Sequence, residues 1–220
     1  MRLKMVLKLG STEGHYRQVI GALRGLKTDK KLKILEVGAG HKMIEPFLPK
    51  HFIYHTMDNA EGFWQKDYTY HHNLDQGKFP IKTGTYDVVI CLETLEHVMY
   101  PERVIAEIMR IAKKDALFFF SIPNEYNFLS RLYFLIGKKT EVEEPFKVVE
   151  RSLHIHRPRV RDILNLFSKY LKIKNVDYVW QSRMSEKSGL ARETDKFLMQ
   201  LAPVWPSLFA RTVSVQCVRR

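Results

Sequence analysis

A ten-residue run that passes from apolar residues to glycines, KLKILEVGAG (residues 31–40), constrains this chain more than any other feature. Ile34, Leu35 and Val37 form the kind of apolar run that a buried strand shows. The glycines directly after it predict a tight loop, because glycine adopts backbone angles that other residues avoid. We expect a helix after the loop, with free N–H groups at its start that point at a ligand.

Further apolar runs repeat along the chain at regular intervals. FIYHTMD (52–58), YDVVICL (86–92) and DALFFFSIP (115–123) predict three more strands, and YTYHHNLD (68–75) predicts a short one. PERVIAEIMRIAKK (101–114) predicts a helix, with Pro in its first turn and cations in its last. Strands that alternate with helices predict an α/β fold: a Rossmann-like, doubly wound, mostly parallel sheet with helices on both faces.

An acidic residue ends the second predicted strand. Asp58 follows Glu36 by 22 residues, where a carboxylate in a doubly wound sheet accepts hydrogen bonds from two ribose hydroxyls. The pair indicates an adenosine-containing cofactor. A dinucleotide loop needs G-x-G-x-x-G, and Met43 stands where the third glycine belongs. A nicotinamide dehydrogenase is therefore disfavoured.

Composition and charge limit the kinds of partner and the cellular compartment that we expect for this chain. The net charge is +12, and residues 111–220 carry 20 Lys and Arg against 11 Asp and Glu. Such a basic half can meet phosphate in nucleic acid, a lipid head group or a nucleotide-linked sugar, or it can be an ordinary solvated surface. Two cysteines exclude a disulfide framework. No run is long enough to span a membrane or resembles a secretion signal, so we expect a cytoplasmic protein.

Four segments together resemble one family. ILEVGAG, TMD, NLDQGKFPIKTGTYDVVICLETLEHV and FFFSIPN look like class I S-adenosylmethionine-dependent methyltransferases, and more narrowly like the type-11 group with its acid-rich LEH segment. The resemblance covers about residues 30–125, and HIHRPRVRDIL continues it beyond the core. It implies an enzyme that uses S-adenosylmethionine as its cofactor.

The resemblance also implies which residues bind the cofactor, all of them at or near the carboxyl ends of the first strands. They are Glu36, Gly38 and Gly40 for the methionine end, Asp58 for the ribose, Asn73 and Leu74 for the adenine, and Leu92 and Glu93 for closing the pocket. Two positions depart from the family pattern. Lys42 stands where a further glycine is common, and Asn73 stands where many members have an acid, with Asp75 as the alternative.

Histidines and strand-end polar residues are the candidates for chemistry and acceptor binding. We expect His97 to act as base or positioning group, because a hydroxyl acceptor benefits from a base with a pKa near neutral. Helix capping is its structural alternative. Asn124 and Tyr126 follow a predicted strand end, where ligands bind in open parallel sheets. His154 and His156 come after the predicted insertion and are further candidates for contact with the acceptor.

The E-x-x-E-H segment raises the question of a metal. If it opens a helix, Glu93, Glu96 and His97 share one face, and such a segment binds a divalent metal in some relatives: small-RNA end-methylating enzymes and ubiquinone-pathway O-methyltransferases. His154 or His156 would supply a fourth ligand. The acids are equally favoured at a helix N-terminus by the dipole alone. We expect no metal, and a structural or cofactor-proximal role for both glutamates.

The sequence therefore predicts a methyltransferase of one domain. We expect an N-terminal helix region over 1–30, a cofactor-binding core over 31–125, a lid insertion over 137–156 and the rest of the sheet over 157–220. The acceptor is a small molecule or a lipid- or sugar-linked intermediate. An RNA acceptor is the alternative, not favoured because no RNA-binding module is recognisable. A non-catalytic cofactor-binding protein is the third hypothesis.

Overall fold

The computed structural model of the chain describes residues 14–26, 28, 30–59, 67–138, 154–180 and 189–220. Almost all of the predicted lid, residues 139–153, lies outside these ranges, so the lid stays a prediction. The division of the chain into four regions also stays a prediction. None of the described helices is long and apolar enough to cross a membrane.

Six helices and seven strands alternate through the described residues. In chain order they are α1 (Gly14–Gly25), β1 (Lys33–Val37), β2 (Ile53–Asp58), β3 (Tyr70–His71), β4 (Tyr86–Leu92), α2 (Pro101–Ile111), β5 (Ala112–Pro123), α3 (Phe128–Leu135), α4 (Val160–Tyr170), β6 (Leu171–Val179), α5 (Gly189–Leu201), α6 (Pro206–Phe209) and β7 (Thr212–Arg219). Two short 3-10 helices, Glu45–Phe47 and Leu95–His97, lie after β1 and β4.

The strands form one sheet in the order β3-β2-β1-β4-β5-β7-β6. The first five strands run parallel, so that Leu35 of β1 lies beside His55 of β2 and Val89 of β4. β7 is antiparallel to β5 and to β6. The predicted doubly wound, mostly parallel sheet is therefore confirmed.

Helices cover both faces of the sheet because the strand residues alternate between them. Leu35 and Val37 belong to the core beneath α2 and α4, where the rings of Phe120 and Phe167 stack 4.6 Å apart. Ile34 points to the other face and belongs to the core under α1. Burial on both faces explains why β1 and β4 are apolar along most of their length.

The expected helix after the glycine loop is wrong. The described residues there contain only the 3-10 helix Glu45–Phe47. Lys42 has a left-handed φ of 53°, which interrupts a helical path. Pro49 then ends the 3-10 helix, because the residue before a proline is pushed to extended angles, and Leu48 is extended. No α-helix N-terminus is therefore available here for a ligand.

The boundary between α2 and β5 also differs from the sequence prediction. α2 ends at Ile111 and β5 begins at Ala112, although the sequence pattern predicts a helix to 114 and a strand from 115. Ala112 is already extended and lies beside Tyr86 of β4. Pairing with the neighbouring strand therefore overrides the helix-favouring lysines that follow.

Gly38 and Gly84 provide a matched test of the glycine loop. Both have left-handed φ angles, 71° and 67°, but an added Cβ would lie 2.2 Å from Thr94 Oγ1 at Gly38 and would meet nothing within 4 Å at Gly84. We expect Gly84→Ala to lower the free energy of unfolding by about 1 kcal/mol. We expect Gly38→Ala to cost roughly 2 kcal/mol more, because Thr94 must move. Urea unfolding measures both, and equal losses would contradict the close approach of Thr94.

Candidate active site

Three adjacent strands bring acidic residues to one edge of the sheet. β2, β1 and β4 are neighbours and parallel, so their carboxyl ends lie side by side. Asp58 ends β2, Glu36 lies one residue before the end of β1, and Glu93 follows β4. The ligand crevice of an open parallel sheet lies at this edge, so these acidic side chains gather where a cofactor would bind.

The glycine loop is held open by backbone hydrogen bonds. Gly38 and Gly40 both have left-handed φ angles, of 71° and 46°. The N–H groups of Gly38 and Ala39 donate to the Met57 carbonyl at 2.9 and 3.2 Å. The Tyr68 hydroxyl donates to the Gly40 carbonyl at 2.9 Å. The loop is thereby fixed to β2 and to the segment before β3.

Lys42 occupies the place where the family commonly has a further glycine. Its φ of 53° lies in the left-handed region that glycine favours, so the chain keeps this conformation without that residue. The side chain is buried, and Nζ donates to the Asp67 carbonyl at 2.8 Å and pairs with the Asp67 carboxylate at 2.9 Å. This anchor ties the loop to the segment that begins at Asp67.

Asp58 is suited to hold a ribose. Its two carboxylate oxygens accept hydrogen bonds from the N–H groups of Gly40 at 2.8 Å and Asn59 at 2.7 Å. A carboxylate has about four lone-pair sites, so two remain for the hydroxyls of a ribose. The residues at this edge therefore fit an adenosine-containing cofactor, and the cofactor role of Asp58 rests on that fit.

Glu36 lies inside the sheet, one residue before the end of β1. It is buried within the sheet, and its carboxyl group accepts a hydrogen bond from the Tyr54 hydroxyl. Burial, reinforced by the negative charge of Asp58, raises the pKa of Glu36 to about 8. The sequence-based role at the methionine end of the cofactor stays a prediction, and Tyr54 is a partner that sequence reasoning missed.

The predicted adenine side lies in the turn after β3. The Asn73 side-chain carbonyl accepts a hydrogen bond from the Asp75 N–H at 3.0 Å, and one lone pair of that oxygen remains. Leu74 is half-buried against the core. Asp75, the alternative, uses its carboxylate to accept the Met99 N–H at 2.8 Å. Both side chains therefore keep acceptor capacity, and the sequence-based choice of Asn73 over Asp75 for the adenine stays a prediction.

Glu93 is separated from Glu96 by its backbone conformation. Its φ of 48° is left-handed, so the two glutamates do not share a helical face, and the helix expected for this segment is only the 3-10 helix Leu95–His97. The Ser121 hydroxyl donates to Glu93 Oε1 at 2.7 Å, and the Glu93 N–H donates to Ser121 at 3.1 Å. Glu93 therefore lies against the end of β5. Leu92 before it is buried.

Residues 154–156 pack against the 3-10 helix Leu95–His97, called the LEH turn. The N–H groups of Ile155 and His156 donate to the Glu96 carbonyl at 2.9 and 3.1 Å. His156 Nε2–H also donates to the Val98 carbonyl at 2.9 Å. This docking places the rings of His97 and His154 4.8 Å apart, edge to face. His154, which comes late in the chain, is thus brought next to His97 after the end of β4.

Glu96, His97 and His154 form a cluster whose ligand atoms all lie within 4.8 Å of one another. Glu96 is 1% exposed, and neither of its carboxylate oxygens accepts a hydrogen bond from the described residues. Burial, followed by the charge of Glu93, raises the pKa of Glu96 well above its ordinary value. A buried carboxyl without donors needs a proton or a cation nearby. The nearest cationic candidate is His97 Nε2, 3.8 Å from Glu96 Oε1.

Glu125 completes the surroundings of this cluster. Its carboxylate pairs with Nδ1 of His154, which leaves Nε2 of that ring as the other available ring nitrogen. Carboxylate–histidine pairs of this kind orient the imidazoles of metal sites. One carboxylate and two imidazoles also suit a divalent transition metal. Glu96, His97 and His154, rather than Glu93, are therefore the residues that could hold a metal, and the expectation of no metal remains untested.

Asn124 and Tyr126 differ in their surroundings. The Asn124 side chain is buried and donates to the carbonyls of Ala210 at 2.8 Å and Ser207 at 3.3 Å. It therefore fastens the end of β5 to the segment before β7. Tyr126 is exposed nearby. Contact of either residue with an acceptor stays a prediction, and the exposed Tyr126 is the more accessible of the two.

A cavity of about 220 Å3 lies beside the cluster. Glu96 and His156 contribute to its wall, and Leu95, Ile122 and Ile163 make it largely apolar. An apolar wall with a few polar groups is typical of sites for small organic ligands. No single local motif in the sequence indicates this cavity, because its walls come from four separate elements.

The methyltransferase domain family matches residues 13–171 of the chain. The chain belongs to this family. The sequence-based prediction of a class I S-adenosylmethionine-dependent methyltransferase is thereby confirmed, and the family implies S-adenosylmethionine as the cofactor.

Curated relatives match a shorter part of this methyltransferase. The ubiquinone biosynthesis O-methyltransferase of Photobacterium profundum is 38% identical over 77 residues, which cover 35% of this chain and 31% of that protein. The enzyme of the same name from Vibrio atlanticus is 38% identical over 76 residues, covering 34% and 30%. The matches thus span about a third of the length of these relatives.

Solved structures share the fold of this methyltransferase. An S-adenosylmethionine-dependent methyltransferase from Mesorhizobium loti has a TM-score of 0.60 at 14% identity, covering 96% of this chain and 100% of that one. Magnesium protoporphyrin IX methyltransferase from Synechocystis PCC 6803, solved with bound SAH, has a TM-score of 0.59 at 15% identity, covering 96% and 84%. At these identities the likeness concerns the fold alone.

Removing the carboxylate of Asp58 tests the ribose site. We expect Asp58→Ala to weaken binding of the demethylated cofactor by on the order of 2–3 kcal/mol, since contacts to two hydroxyls and the support of Gly40 are lost. Titration calorimetry measures the affinity. Asp177→Ala is the matched control, because Asp177 lies on the outer strand β6 and accepts a hydrogen bond from the nearby Asn175 side chain. This variant should bind the demethylated cofactor as the parent does. Equal affinity in Asp58→Ala and the parent would sink the assignment.

Glu36 should make stability depend on pH. Its pKa of about 8 in the folded protein lies above the ordinary 4.5, so the folded state holds a proton that the unfolded state releases. Stability should therefore fall as the pH rises from about 5 to 8. We expect Glu36→Gln to remove this part of the slope, on the order of a few kcal/mol across the window. Urea unfolding at a series of pH values measures it.

The exposed Glu193→Gln serves as control for this measurement, because it also removes one carboxylate but from the surface. The free energy of unfolding of this control should depend on pH in the same way as that of the parent. A Glu36→Gln profile that also runs parallel to the parent would show that Glu36 titrates normally in the folded protein.

Proposed function

We propose that this methyltransferase transfers the methyl group of S-adenosylmethionine to a hydroxyl oxygen of a small organic acceptor. The observation that carries the proposal is the cluster of Glu96, His97 and His154 at the end of β4, beside an apolar cavity. The partial match to ubiquinone biosynthesis O-methyltransferases supports an oxygen acceptor of low molecular mass. A lipid- or sugar-linked form of such an acceptor remains compatible with the site.

The residues of the chain would act by positioning and by taking up one proton. The bound cofactor supplies an electrophilic methyl group on a positively charged sulfur. Asp58 and the glycine loop hold its adenosine part, and Glu93, fixed by Ser121, closes the pocket at the end of β4. Holding the hydroxyl in line with the methyl group supplies much of the acceleration.

His97 is the residue that we propose to receive the hydroxyl proton. Imidazole is suited to this task near neutral pH. When the oxygen takes the methyl group, its proton passes to the ring nitrogen and the sulfur becomes neutral. The Glu96 carboxyl group lies 3.8 Å from His97 Nε2 and would stabilise the imidazolium when ionised. Glu125 orients the neighbouring His154 through its Nδ1.

A metal-assisted form of the same reaction is the second candidate. The observation that favours it is the buried Glu96 carboxyl group, which lacks a hydrogen-bond donor among the described residues. A divalent cation held by Glu96, His97 and His154 would orient the hydroxyl and favour loss of its proton. This form contradicts the sequence-based expectation of no metal, so one experiment has to separate the two.

A panel of dihydroxybenzoates with S-adenosylmethionine tests the proposal. We expect mass spectrometry to show a gain of one methyl group on an acceptor with free hydroxyls, and none on the analogue whose hydroxyls are replaced by hydrogen. His97→Ala should lower kcat by roughly 100-fold or more while leaving affinity for the demethylated cofactor unchanged. His51→Ala, on the exposed loop before β2, is the matched control and should keep full activity.

Chelation separates the two forms of the mechanism. With His97 as base alone, activity should survive exhaustive treatment with EDTA. With a cation, activity should be lost on chelation and should return with magnesium or manganese. Cofactor binding without transfer to any member of a broad hydroxyl panel would overturn the proposal in favour of a non-catalytic binding protein, and transfer to RNA alone would favour the alternative acceptor.

A further inference from the structure

Helix α3 leaves its apolar side chains in solvent. Six of its eight residues are apolar or aromatic, and none of the eight is buried. Phe134 is 82% exposed and Leu135 is 81% exposed, and Ile136 after the helix is also largely exposed. The helix is nevertheless well formed, because the Asn127 side chain caps it by accepting the N–H groups of Leu129 and Ser130. Its exposure therefore needs an explanation.

A second exposed apolar segment adjoins α3. Val204 and Trp205, directly before α6, are 80% and 57% exposed. The ring of Phe209 lies 6.5 Å from Trp205 and 6.5 Å from Phe128 at the start of α3. The two segments thus meet through these rings. We call residues 132–136, together with Val204 and Trp205, the apolar ridge.

The charged residues within the two segments that form the apolar ridge are all cations. Segments 126–138 and 202–211 contain Arg131, Lys138 and Arg211 and no Asp or Glu. The chain as a whole has a net charge of +12. Exposed apolar side chains beside cations are the combination by which a protein lies on a bilayer with anionic head groups. An apolar helix in water is otherwise found buried in a core.

We propose that the apolar ridge inserts into the surface of a bilayer that contains anionic lipids, with the protein resting on the membrane. Phe134, Leu135 and Ile136 would enter the acyl boundary. Trp205 and Tyr133 have the amphipathic rings that favour the interface. A second copy of the chain is the less suitable occupant, since the cations beside the two apolar ridges would repel each other. The proposal does not depend on the identity of the methyl acceptor.

Sedimentation with vesicles tests the proposal on the chain of 220 residues. We expect binding to vesicles of phosphatidylcholine with phosphatidylglycerol, weak binding to phosphatidylcholine alone, and loss of binding as salt is raised. The double variant Phe134→Ser/Leu135→Ser should bind the mixed vesicles at least about tenfold more weakly, because two large apolar side chains no longer leave water. Ile53→Ser, on an exposed residue at the amino end of β2, is the matched control.

The control variant should bind vesicles as the parent does, and both variants should keep the parent's affinity for the demethylated cofactor, which shows that they fold. Equal vesicle binding by the double variant and the parent would overturn the proposal. So would the absence of binding to the mixed vesicles. Self-association of the parent in light scattering that the double variant loses, without vesicle binding, would assign the apolar ridge to a second copy instead.

Discussion

The parallel pairing of β2, β1, β4 and β5 is the constraint on which the rest of the structure depends. Because these neighbours run in one direction, everything that follows a strand emerges at the same edge. The pairing of Leu92 with Ser121 brings the Ser121 hydroxyl to Glu93, and the nearby β2 end brings the Asp58 carboxylate to Gly40. Sheet register thus assembles the cofactor side of the site, whereas the cluster of Glu96, His97 and His154 is assembled by the docking of residues 155–156 on the LEH turn.

Two glutamates at this edge are buried, and the groups that surround their carboxyl groups differ. Glu36 has a donor, the Tyr54 hydroxyl, and so its carboxyl group is satisfied inside the sheet. Glu96 is as deeply buried, has no such donor among the described residues, and lies beside two imidazoles. A structural carboxyl group is expected to look like Glu36. The surroundings of Glu96 therefore make it a candidate for a group that meets a proton or a cation, as proposed above.

The elements that sequence could predict are those encoded by local patterns. β4 begins and ends where the apolar run YDVVICL does, since a strand buried on both faces needs no distant information. The absence of an α-helix after the glycine loop could not be predicted from the glycines alone, because it depends on the left-handed backbone of Lys42 and on Pro49. In the site, the left-handed Glu93 and the pairing of Glu125 with His154 escaped prediction. The first depends on a single backbone angle, and the second joins residues 29 positions apart.

The proposed site and the apolar ridge share one edge of the sheet. α3 follows the carboxyl end of β5 by a few residues, and Thr212, which begins β7 directly after α6, pairs with Pro123 at that same end. The hydrogen bonds from Asn124 to the carbonyls before β7 fasten the two segments together. A surface that rests on a bilayer through α3 therefore keeps the cluster of Glu96, His97 and His154 on the membrane side of the sheet. An acceptor with an apolar tail would then approach the cavity, whose wall includes Glu96 of the cluster, without first crossing bulk water. A small, largely apolar cavity is in that case compatible with a lipid-linked acceptor, because only the reacting head has to enter it.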